Sequence, residues 1–300
     1  MGKEITNIYE VKNFINGKFK SYETKMMKVI SPIDGSQMGT VSLSDASVLE
    51  EAVSAARIAF NSWSKVPIKE RVQIFYTYRE LLLKNIHDLS ELITIENGKT
   101  YSEARAEIEK AVELTEFACS LPQLTAGEVL EVSNGVECKS VYLPIGVVAS
   151  IVPFNFPSMV PHWTIPNALV LGNTMIIKPS EQVPFSLARV AELLKEAGLP
   201  DGVFNVVNGD KEIVEAICDH PGIEAVTFVG STRVAKLVYK RATASLKRCL
   251  ALGGAKNHLF LLPDAQPEMA ASNIVASATG CAGQRCMAAS TLLAVGDVDE

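Results

Sequence analysis

The second half of the chain, after Pro144, predicts an α/β fold built on a doubly wound parallel sheet. Short, continuous apolar runs alternate there with longer segments of helical periodicity. Strands buried on both faces read as continuous apolar runs, so this pattern indicates a parallel sheet covered by helices on both sides. In such a sheet, ligands bind beyond the carboxyl ends of the strands.

The composition describes an ordinary globular chain. Its 300 residues are 48% apolar and 21% charged, enough for a large core and for more than one domain. A net charge of −6 without a basic cluster argues against a nucleic-acid partner. The longest apolar run, residues 145–160, contains Asn155 and two prolines, so no membrane span is predicted.

The cysteines and histidines indicate the redox compartment of the protein and whether it can bind a metal. The four histidines have no metal-ligand spacing, so no metal site is predicted. The cysteines lack any CxxC pair, which is typical of reduced thiols in a cytoplasmic protein. They are Cys119, Cys138, Cys218, Cys249, Cys281 and Cys286.

The first part of the chain predicts a β-hairpin followed by helices. Asn16-Gly17 between alternating apolar and polar residues is a strong hairpin signal. Apolar residues then recur at helical spacing over residues 45–62, 68–94 and 102–119.

One motif between these helices resembles the end of a phosphate-binding loop. It is Asn97-Gly98-Lys99-Thr100, but Ile93 occupies the position of the first glycine that such a loop requires. We interpret it as a helix end at Gly98 and a new start capped by Thr100 or Ser102.

The α/β half can be divided into individual elements. The predicted strands are residues 146–152, 174–178, 203–207, 225–229 and 248–252. The predicted helices between them are residues 158–171, 185–197, 211–218 and 232–244.

The ends of these strands carry groups that suit a dinucleotide. Gly230-Ser231 opens a helix whose backbone N–H groups could receive a pyrophosphate. Glu181 could accept hydrogen bonds from ribose hydroxyls, and Lys178 could donate to them. GxGxxG is missing, so the alternative is a packing role, with Lys178 and Glu181 forming an exposed ion pair.

A second α/β segment begins after Gly254. It has predicted strands at residues 259–262 and 291–295 and a helix at residues 269–278, too few to close a domain. We expect residues 1–253 to form one domain and residues 254–300 the beginning of another. The 300 residues would then be a portion of a longer protein, or a partner would complete them.

Cys286 follows this helix, among small residues and beside Arg285. Such a cysteine can be exposed at a turn, where positive potential stabilises its thiolate as a nucleophile. Its alternative role is that of a small buried hydrophobe.

Five motifs occur together in an order and spacing that resemble the aldehyde dehydrogenase superfamily. The last two also resemble its CoA-acylating methylmalonate-semialdehyde branch, through the extensions His258 and Met287-Ala288. The motifs are Pro153-Phe154-Asn155-Phe156-Pro157, Lys178-Pro179-Ser180-Glu181, Phe228-Val229-Gly230-Ser231-Thr232, Leu252-Gly253-Gly254-Ala255-Lys256-Asn257 and Gly283-Gln284-Arg285-Cys286.

The resemblance implies an aldehyde-dehydrogenase-like fold with an NAD-binding domain and a catalytic domain. It also implies a small extension, here about residues 122–144, that joins subunits into a homo-oligomer, a dimer or a tetramer. The implied ligands are NAD, CoA as co-substrate and a small semialdehyde. Valine and inositol catabolism are the implied pathways.

Site residues are implied in the same way. Cys286 would attack the aldehyde, and the Asn155 amide with the Cys286 N–H would hold the resulting oxyanion. For Val152 and Gly253, strand-end packing is an equal alternative to the implied cofactor contact. The implied cofactor-binding residues are Val152, Phe154, Lys178, Glu181, Gln182, Ser231 and Gly253.

The resemblance also implies two cations for the distal carboxylate of the substrate. Arg285 fits a salt bridge to that carboxylate. Gln284 replaces a glutamate of the relatives, and Lys110 stands where they have a second arginine. Lysine keeps the charge but loses the bidentate fork, which leaves the identity of the semialdehyde open.

The deacylating base of hydrolytic relatives is missing from its expected position. The position falls on Leu252 or Ala251, and no Asp or Glu occurs between Glu224 and Asp264. Because a thiol such as CoA needs no such base, we expect acyl transfer to CoA. For a malonate-type semialdehyde, the resemblance further implies decarboxylation to acetyl-CoA or propanoyl-CoA. The alternatives are a hydrolytic aldehyde dehydrogenase and a catalytically inactive binding protein.

Overall fold

A computed structural model describes residues 9–296. Its strands are β1 Tyr9–Val11, β2 Asn13–Ile15, β3 Lys18–Lys20, β4 Lys25–Ile30, β5 Gln37–Leu43, β6 Glu128–Ser133, β7 Val136–Ser140, β8 Val147–Ile151, β9 Thr174–Lys178, β10 Phe204–Val206, β11 Ala225–Val229, β12 Arg248–Leu252, β13 Asn257–Leu261 and β14 Ala289–Ala294. Its helices are α1 Ala46–Trp63, α2 Ile68–Lys84, α3 Ile86–Asn97, α4 Tyr101–Leu124, α5 Met159–His162, α6 Ile165–Val170, α7 Phe185–Glu196, α8 Lys211–Asp219, α9 Thr232–Ala244 and α10 Pro267–Thr279.

The principal sheet has seven strands in the order β12-β11-β8-β9-β10-β2-β3. The five strands from β12 to β10 are parallel, and β2 and β3 extend the sheet antiparallel at one edge. From β8 the chain passes first to β9 on one side and later to β11 on the other. The strand order therefore reverses between β8 and β11, where a doubly wound sheet forms its ligand crevice.

Burial explains why the parallel strands were predictable. Every residue of β8, β9 and β10 is buried, as expected for strands covered on both faces. At the edge of the sheet, β12 alternates between exposed and half-buried residues. The predicted bounds of β9, β11 and β12 are confirmed.

Helices cover both faces of the sheet. On one face, α1, α8 and α9 form a core with residues such as Leu49 and Val238. On the other, α2, α4, α6 and α7 surround a larger core that includes Tyr78 and Leu187. In each case apolar residues three and four positions apart form the buried stripe of an amphipathic helix.

The predicted hairpin is confirmed, and it joins the principal sheet through β2. Asn16 and Gly17 have φ values of 52° and 71°, the left-handed conformations that a two-residue hairpin turn requires. A further sheet, β1-β5-β4, was not predicted. Its strand β4 has the sequence Lys-Met-Met-Lys-Val-Ile, which lacks the apolar alternation by which strands are recognised. Val29 is the only residue of β4 that is buried.

Two predicted helices are each divided in the structure. The segment 68–94 is interrupted at Asn85, whose amide donates to the Leu81 carbonyl over 2.8 Å. Apolar periodicity continues across this break, so the pattern could not reveal it. The segment 158–171 divides into α5 and α6. The predicted end of α3 at left-handed Gly98 and start of α4 at Thr100 are confirmed.

Two small units project from this framework. Strands β6 and β7 form a hairpin in which every residue is exposed. Strands β13 and β14 pair in parallel, and α10 connects them. Helix α10 has no buried residue. Within residues 9–296, no helix combines the length and the apolar character needed to cross a membrane.

Candidate active site

A cavity of about 670 Å³ opens beside the carboxyl edge of the sheet. Five segments contribute to it: one face of α4, the stretch after β8 that runs through α5, the end of β11, the end of β12 with the loop that follows it, and the segment between α10 and β14. The lining residues are Ser102, Glu103, Ala106, Glu107, Lys110, Phe156, Met159, Trp163, Val229, Leu252, Gly253, Ala255, Cys281, Arg285, Cys286 and Met287.

Cys286 lies at an exposed turn in this cavity. A short 3-10 turn, Gly280–Gly283, ends α10 in left-handed conformations, with φ values of 53° at Cys281 and 55° at Ala282. The chain then continues into β14. On the other side, the Asn257 amide donates to the Cys286 carbonyl over 2.7 Å, which fixes the backbone that carries the thiol.

Asn155 reaches the same loop from the principal sheet. It follows β8 by four residues, and its side-chain nitrogen donates to the Gln284 carbonyl over 2.5 Å. The Asn155 amide therefore lies against the segment that carries Cys286, although Asn155 does not line the cavity itself.

Arg285 is already paired. Its Nη2 atom lies 3.3 Å from Glu103 Oε1, and its Nε donates to Cys281 Sγ over 3.5 Å. The same Glu103 oxygen accepts the Cys281 N–H over 2.7 Å. Burial would raise the pKa of the Glu103 carboxyl, but these hydrogen bonds, those from Thr100 and the charge of Arg285 lower it overall.

Lys110 lies in the same cavity, two turns of α4 from Glu103. Its ammonium pairs with Glu113 on the solvent side, and half of its side chain is exposed. Lys110 and Arg285, the two predicted carboxylate ligands, therefore line the same cavity as Cys286.

The predicted cofactor residues are distributed along the carboxyl edge of the sheet. The Val152 N–H, after β8, donates to the Lys178 carbonyl at the end of β9. Lys178 Nζ lies 2.8 Å from Glu181 Oε2, yet the lysine is only 5% exposed. The ion pair considered above thus exists but is largely buried on the lysine side.

The other residues predicted to bind the cofactor lie further along this edge. Ser231 caps α9 by accepting the Val234 N–H and is exposed. Gly253 follows the neighbouring strand β12 and lines the main cavity. Phe154 and Gln182 instead line a second cavity of about 340 Å³, together with Gln284.

The position of the expected deacylating base is apolar. Leu252 is 40% exposed and forms part of the cavity wall, whereas Ala251 packs against the core on the other side of β12. Because side chains alternate along a strand, only one of these two residues can face the cavity.

Sequence reasoning missed two carboxylates in the cavity, Glu103 and Glu107. With Lys110 they fall at helical spacing on one face of α4, a signal that could have revealed them. Glu107 is bound to Lys99 and to two backbone N–H groups, and Glu103 is bound as described above. Both carboxylates are therefore already hydrogen-bonded to other groups of the protein.

The sequence of the chain matches a known protein family. The sequence model described as "Aldehyde dehydrogenase family" matches residues 19–300. The chain belongs to the aldehyde dehydrogenase family. The α/β fold and the motifs around Asn155 and Cys286 are thereby accounted for, and the resemblance derived from the sequence is confirmed.

Curated members of the aldehyde dehydrogenase family are similar over almost the whole chain. Malonate-semialdehyde dehydrogenase 1 of Geobacillus thermodenitrificans is 45% identical over 295 residues, which are 98% of this chain and 61% of that protein. Malonate-semialdehyde dehydrogenase 2 of Bacillus cereus is 48% identical over 284 residues, 94% of this chain and 58% of that protein.

Solved structures of aldehyde dehydrogenases agree with the fold. A methylmalonate-semialdehyde dehydrogenase from Oceanimonas doudoroffii gives a TM-score of 0.96 at 42% identity, covering 97% of this chain and 60% of that one. A protein described as methylmalonate-semialdehyde dehydrogenase from Sinorhizobium meliloti 1021, complexed with NAD, gives 0.95 at 40% identity, with the same coverage. The chain thus spans about three fifths of the length of these relatives.

Proposed function

We propose that this protein oxidises malonate or methylmalonate semialdehyde with NAD, through a Cys286 thioester, and transfers the acyl group to CoA. The observation that carries the proposal is one cavity that holds an exposed cysteine and two cations, with an apolar residue at the position of the hydrolytic base. The names of the relatives support the same substrate class.

The first step is addition to the aldehyde. The Cys286 thiolate forms a C–S bond to the carbonyl carbon, and the carbonyl electron pair moves to oxygen. The Asn155 amide and the Cys286 N–H donate to that oxyanion. Asn155 now donates to the Gln284 carbonyl, and the second N–H of its amide is the one assigned to the substrate.

The carboxyl edge of the sheet fits NAD by the chemistry of its donors. The exposed start of α9 at Ser231 offers N–H groups for the pyrophosphate, and the Lys178–Glu181 pair offers a donor and an acceptor for the ribose. Bound there, NAD would accept the hydride from the tetrahedral carbon and leave the thioester on Cys286. Phe154, Gln182, Val152 and Gly253 would complete this edge.

The substrate carboxylate would meet Arg285 and Lys110. Arg285 Nη1 makes no hydrogen bond to any of the residues 9–296, while Nη2 faces Glu103. Arg285 would thus offer its remaining N–H groups to the carboxylate while Glu103 holds its other side. Lys110 would add a second positive charge from α4.

Release of the acyl group completes the cycle. Leu252 cannot activate water, and the carboxylates of Glu103 and Glu107 are engaged elsewhere. CoA would attack the thioester carbon through its thiolate and expel the Cys286 thiolate, so no general base is needed. Loss of the distal carboxylate as CO2 or bicarbonate would give acetyl-CoA or propanoyl-CoA, products that would serve valine or inositol catabolism.

The deciding experiment follows NADH formation by the protein as it is encoded, including any residues beyond Glu300. With either semialdehyde we expect a burst of about one equivalent per site without CoA, and steady turnover with CoA. Rapid turnover to the free acid without CoA would decide for a hydrolytic enzyme. Failure of an aldehyde to protect Cys286 from thiol labelling would indicate an inactive binding protein.

Cofactor choice gives an independent test of the Glu181 assignment. A 2′-phosphate on the ribose would meet the Glu181 carboxylate, so NAD should be preferred over NADP, although Lys178 partly offsets the repulsion. The measurement is kcat/KM with each cofactor. Equal values would remove Glu181 from the ribose site.

We also propose a homo-oligomer, a dimer or tetramer, that uses the extension at residues 122–144. This extension contains the β6–β7 hairpin, on which Val129, Leu130, Val132 and Val136 are all more than half exposed. None of the six cysteines is paired, which supports a reducing cytoplasmic compartment.

A further inference from the structure

The lysine of the motif Asn97-Gly98-Lys99-Thr100 is at the centre of a buried network. Lys99 Nζ lies 2.6 Å from Glu107 Oε2, and both side chains are completely buried. No other ion pair among residues 9–296 is fully buried on both sides. A pair of this kind is costly to desolvate and contributes little net stability, so it calls for another explanation.

Both members of the pair hold the loop that carries Asn155. Lys99 Nζ donates to the Asn155 carbonyl over 2.8 Å. Glu107 Oε1 accepts the N–H groups of Ser158 and Met159 over 2.7 and 3.0 Å. The loop is therefore fixed on both sides of Phe156.

Two further contacts hold the same loop. Lys99 Nζ lies 4.2 Å from the centre of the Phe156 ring, a distance at which a cation is attracted to an aromatic face. The Asn97 amide donates to the Phe154 carbonyl over 2.8 Å. The carbonyls of two consecutive residues, Phe154 and Asn155, are thus bound by side chains of a single short segment.

We propose that Lys99 and Glu107 are positioning residues that aim the Asn155 amide at the oxyanion. The inference rests on the oxyanion role proposed for Asn155. A hydrogen-bond donor stabilises developing charge only when it is held in place before the reaction, and a small displacement forfeits much of its effect. The Lys99–Glu107 pair supplies that rigidity through the backbone of Asn155.

The test compares Lys99→Met with a matched control, Lys247→Met. Lys247 is also a buried lysine that donates to backbone carbonyls, those of His220 and Ile223, but neither carbonyl belongs to the loop that carries Asn155. We expect Lys99→Met to lower kcat by roughly 10- to 100-fold with little change in KM. Lys247→Met should lower thermal stability without that loss of kcat.

A double-mutant cycle separates positioning from general damage. In an Asn155→Ala background, Lys99→Met should lower kcat by less than about threefold, since the group that it positions is gone. Equal losses in both backgrounds would overturn the proposal, and so would an equal loss of kcat in Lys247→Met. If Lys99→Met does not fold, the double variant Lys99→Met/Glu107→Met removes both charges and is tested in the same cycle.

A second substrate keeps the test independent of the proposed reaction. Acylation of Cys286 by p-nitrophenyl acetate also passes through a tetrahedral oxyanion but needs neither NAD nor a semialdehyde. Wild-type release of p-nitrophenolate without semialdehyde oxidation would contradict the proposed function alone. The cycle would then be measured on this release, and an additive result there would overturn the positioning role.

Discussion

At the scale of single residues, the two cysteines of the cavity differ in exposure. Cys286 is exposed, whereas Cys281 is 4% exposed and accepts a hydrogen bond from Arg285. Only the exposed thiol can reach a substrate without a rearrangement of its surroundings. Burial also raises the pKa of Cys119 and Cys218 to about 11, which keeps those thiols protonated and unreactive.

Replacement of the nucleophile is the most direct test at this scale. Cys286→Ala should abolish NADH formation and leave NAD binding nearly unchanged, because the thiol is needed only for the covalent step. Cys138→Ala, which removes the other exposed cysteine, is the matched control and should retain activity. Appreciable turnover by Cys286→Ala, measured by absorbance at saturating NAD, would refute the assignment.

Replacement of Asn155, the proposed oxyanion donor, should lower turnover by a smaller factor than replacement of Cys286. Asn155→Ala should lower kcat by roughly 10²-fold or more, the usual loss for one such donor. The measurement is steady-state turnover with the semialdehyde and CoA. A change confined to KM would assign Asn155 to substrate binding instead.

His162 predicts a pH dependence of stability. Its Nδ1–H donates to the Ser158 carbonyl, its Nε2 accepts the Tyr78 hydroxyl over 2.8 Å, and burial lowers its pKa from 6.5 to about 4. As the pH falls below 6.5, His162 becomes protonated in the unfolded chain but stays neutral in the folded protein. The stabilisation is therefore complete above pH 6.5 and is lost as the pH falls towards 4, by about 1.4 kcal/mol per pH unit.

The measurement is the free energy of unfolding at several pH values for wild type and His162→Gln. The difference between the two proteins should shrink with that slope between pH 6.5 and 4. Glu96 acts in the opposite direction, since burial raises its pKa to about 7, but it is present in both proteins and cancels. A difference that does not vary with pH would show that His162 is not the titrating group.

At the scale of elements, the junction between α3 and α4 sets the position of the buried pair. Gly98 ends α3 with φ = 81°, and Thr100 begins α4 through a capping box with Glu103. Lys99 lies between these two helix ends, so its position relative to both helices is set. The two residues after Gly98 thus place a charge against the loop that carries Asn155 and cap a helix.

Gly98→Ala tests this junction. A Cβ at Gly98 would be strained by the left-handed backbone and would approach Pro32 Cγ to 2.9 Å. Gly35, with φ = 74° and open space around it, is the matched control for the backbone strain alone. We expect Gly35→Ala to cost about 1 kcal/mol and Gly98→Ala more, together with a loss of kcat. Equal unfolding free energies and unchanged kcat would show that the junction is not constrained.

At the scale of the whole molecule, protection from solvent is unevenly distributed. Helix α7 buries six of its residues, whereas α10 buries none. Strands β13 and β14, which α10 connects, form their own two-stranded sheet apart from the seven-stranded one. The site therefore combines a rigid wall, from α4 and the principal sheet, with a less protected wall that carries Cys286.

Hydrogen exchange of the 300-residue chain should reveal this difference. Amides of α10 should exchange at least about 100-fold faster than those of α7, because few buried contacts oppose their opening. Mass spectrometry of peptides from the two helices measures both rates in one experiment. Equal protection would show that another part of the chain or a second copy covers α10.

Features that depend on near neighbours in the chain were predictable from the order of the amino acids. The local composition around Cys286 left open whether its thiol is exposed or buried, and the structure shows it exposed. Continuous apolar runs predicted the buried strands β8, β9 and β10, and Asn16-Gly17 predicted the hairpin. Each follows from periodicity or turn chemistry that acts over a few residues.

The pairing of the polar groups in the cavity became visible only in the folded protein. Arg285 meets Glu103 across 182 positions of sequence, and Lys99 meets the Asn155 carbonyl across 56. Their contacts depend on how α4 packs beside the loops after β8 and α10, which no local pattern records. For the same reason, the sequence could not show that Lys99, which belongs to an incomplete phosphate-loop motif, lies against the loop that carries Asn155.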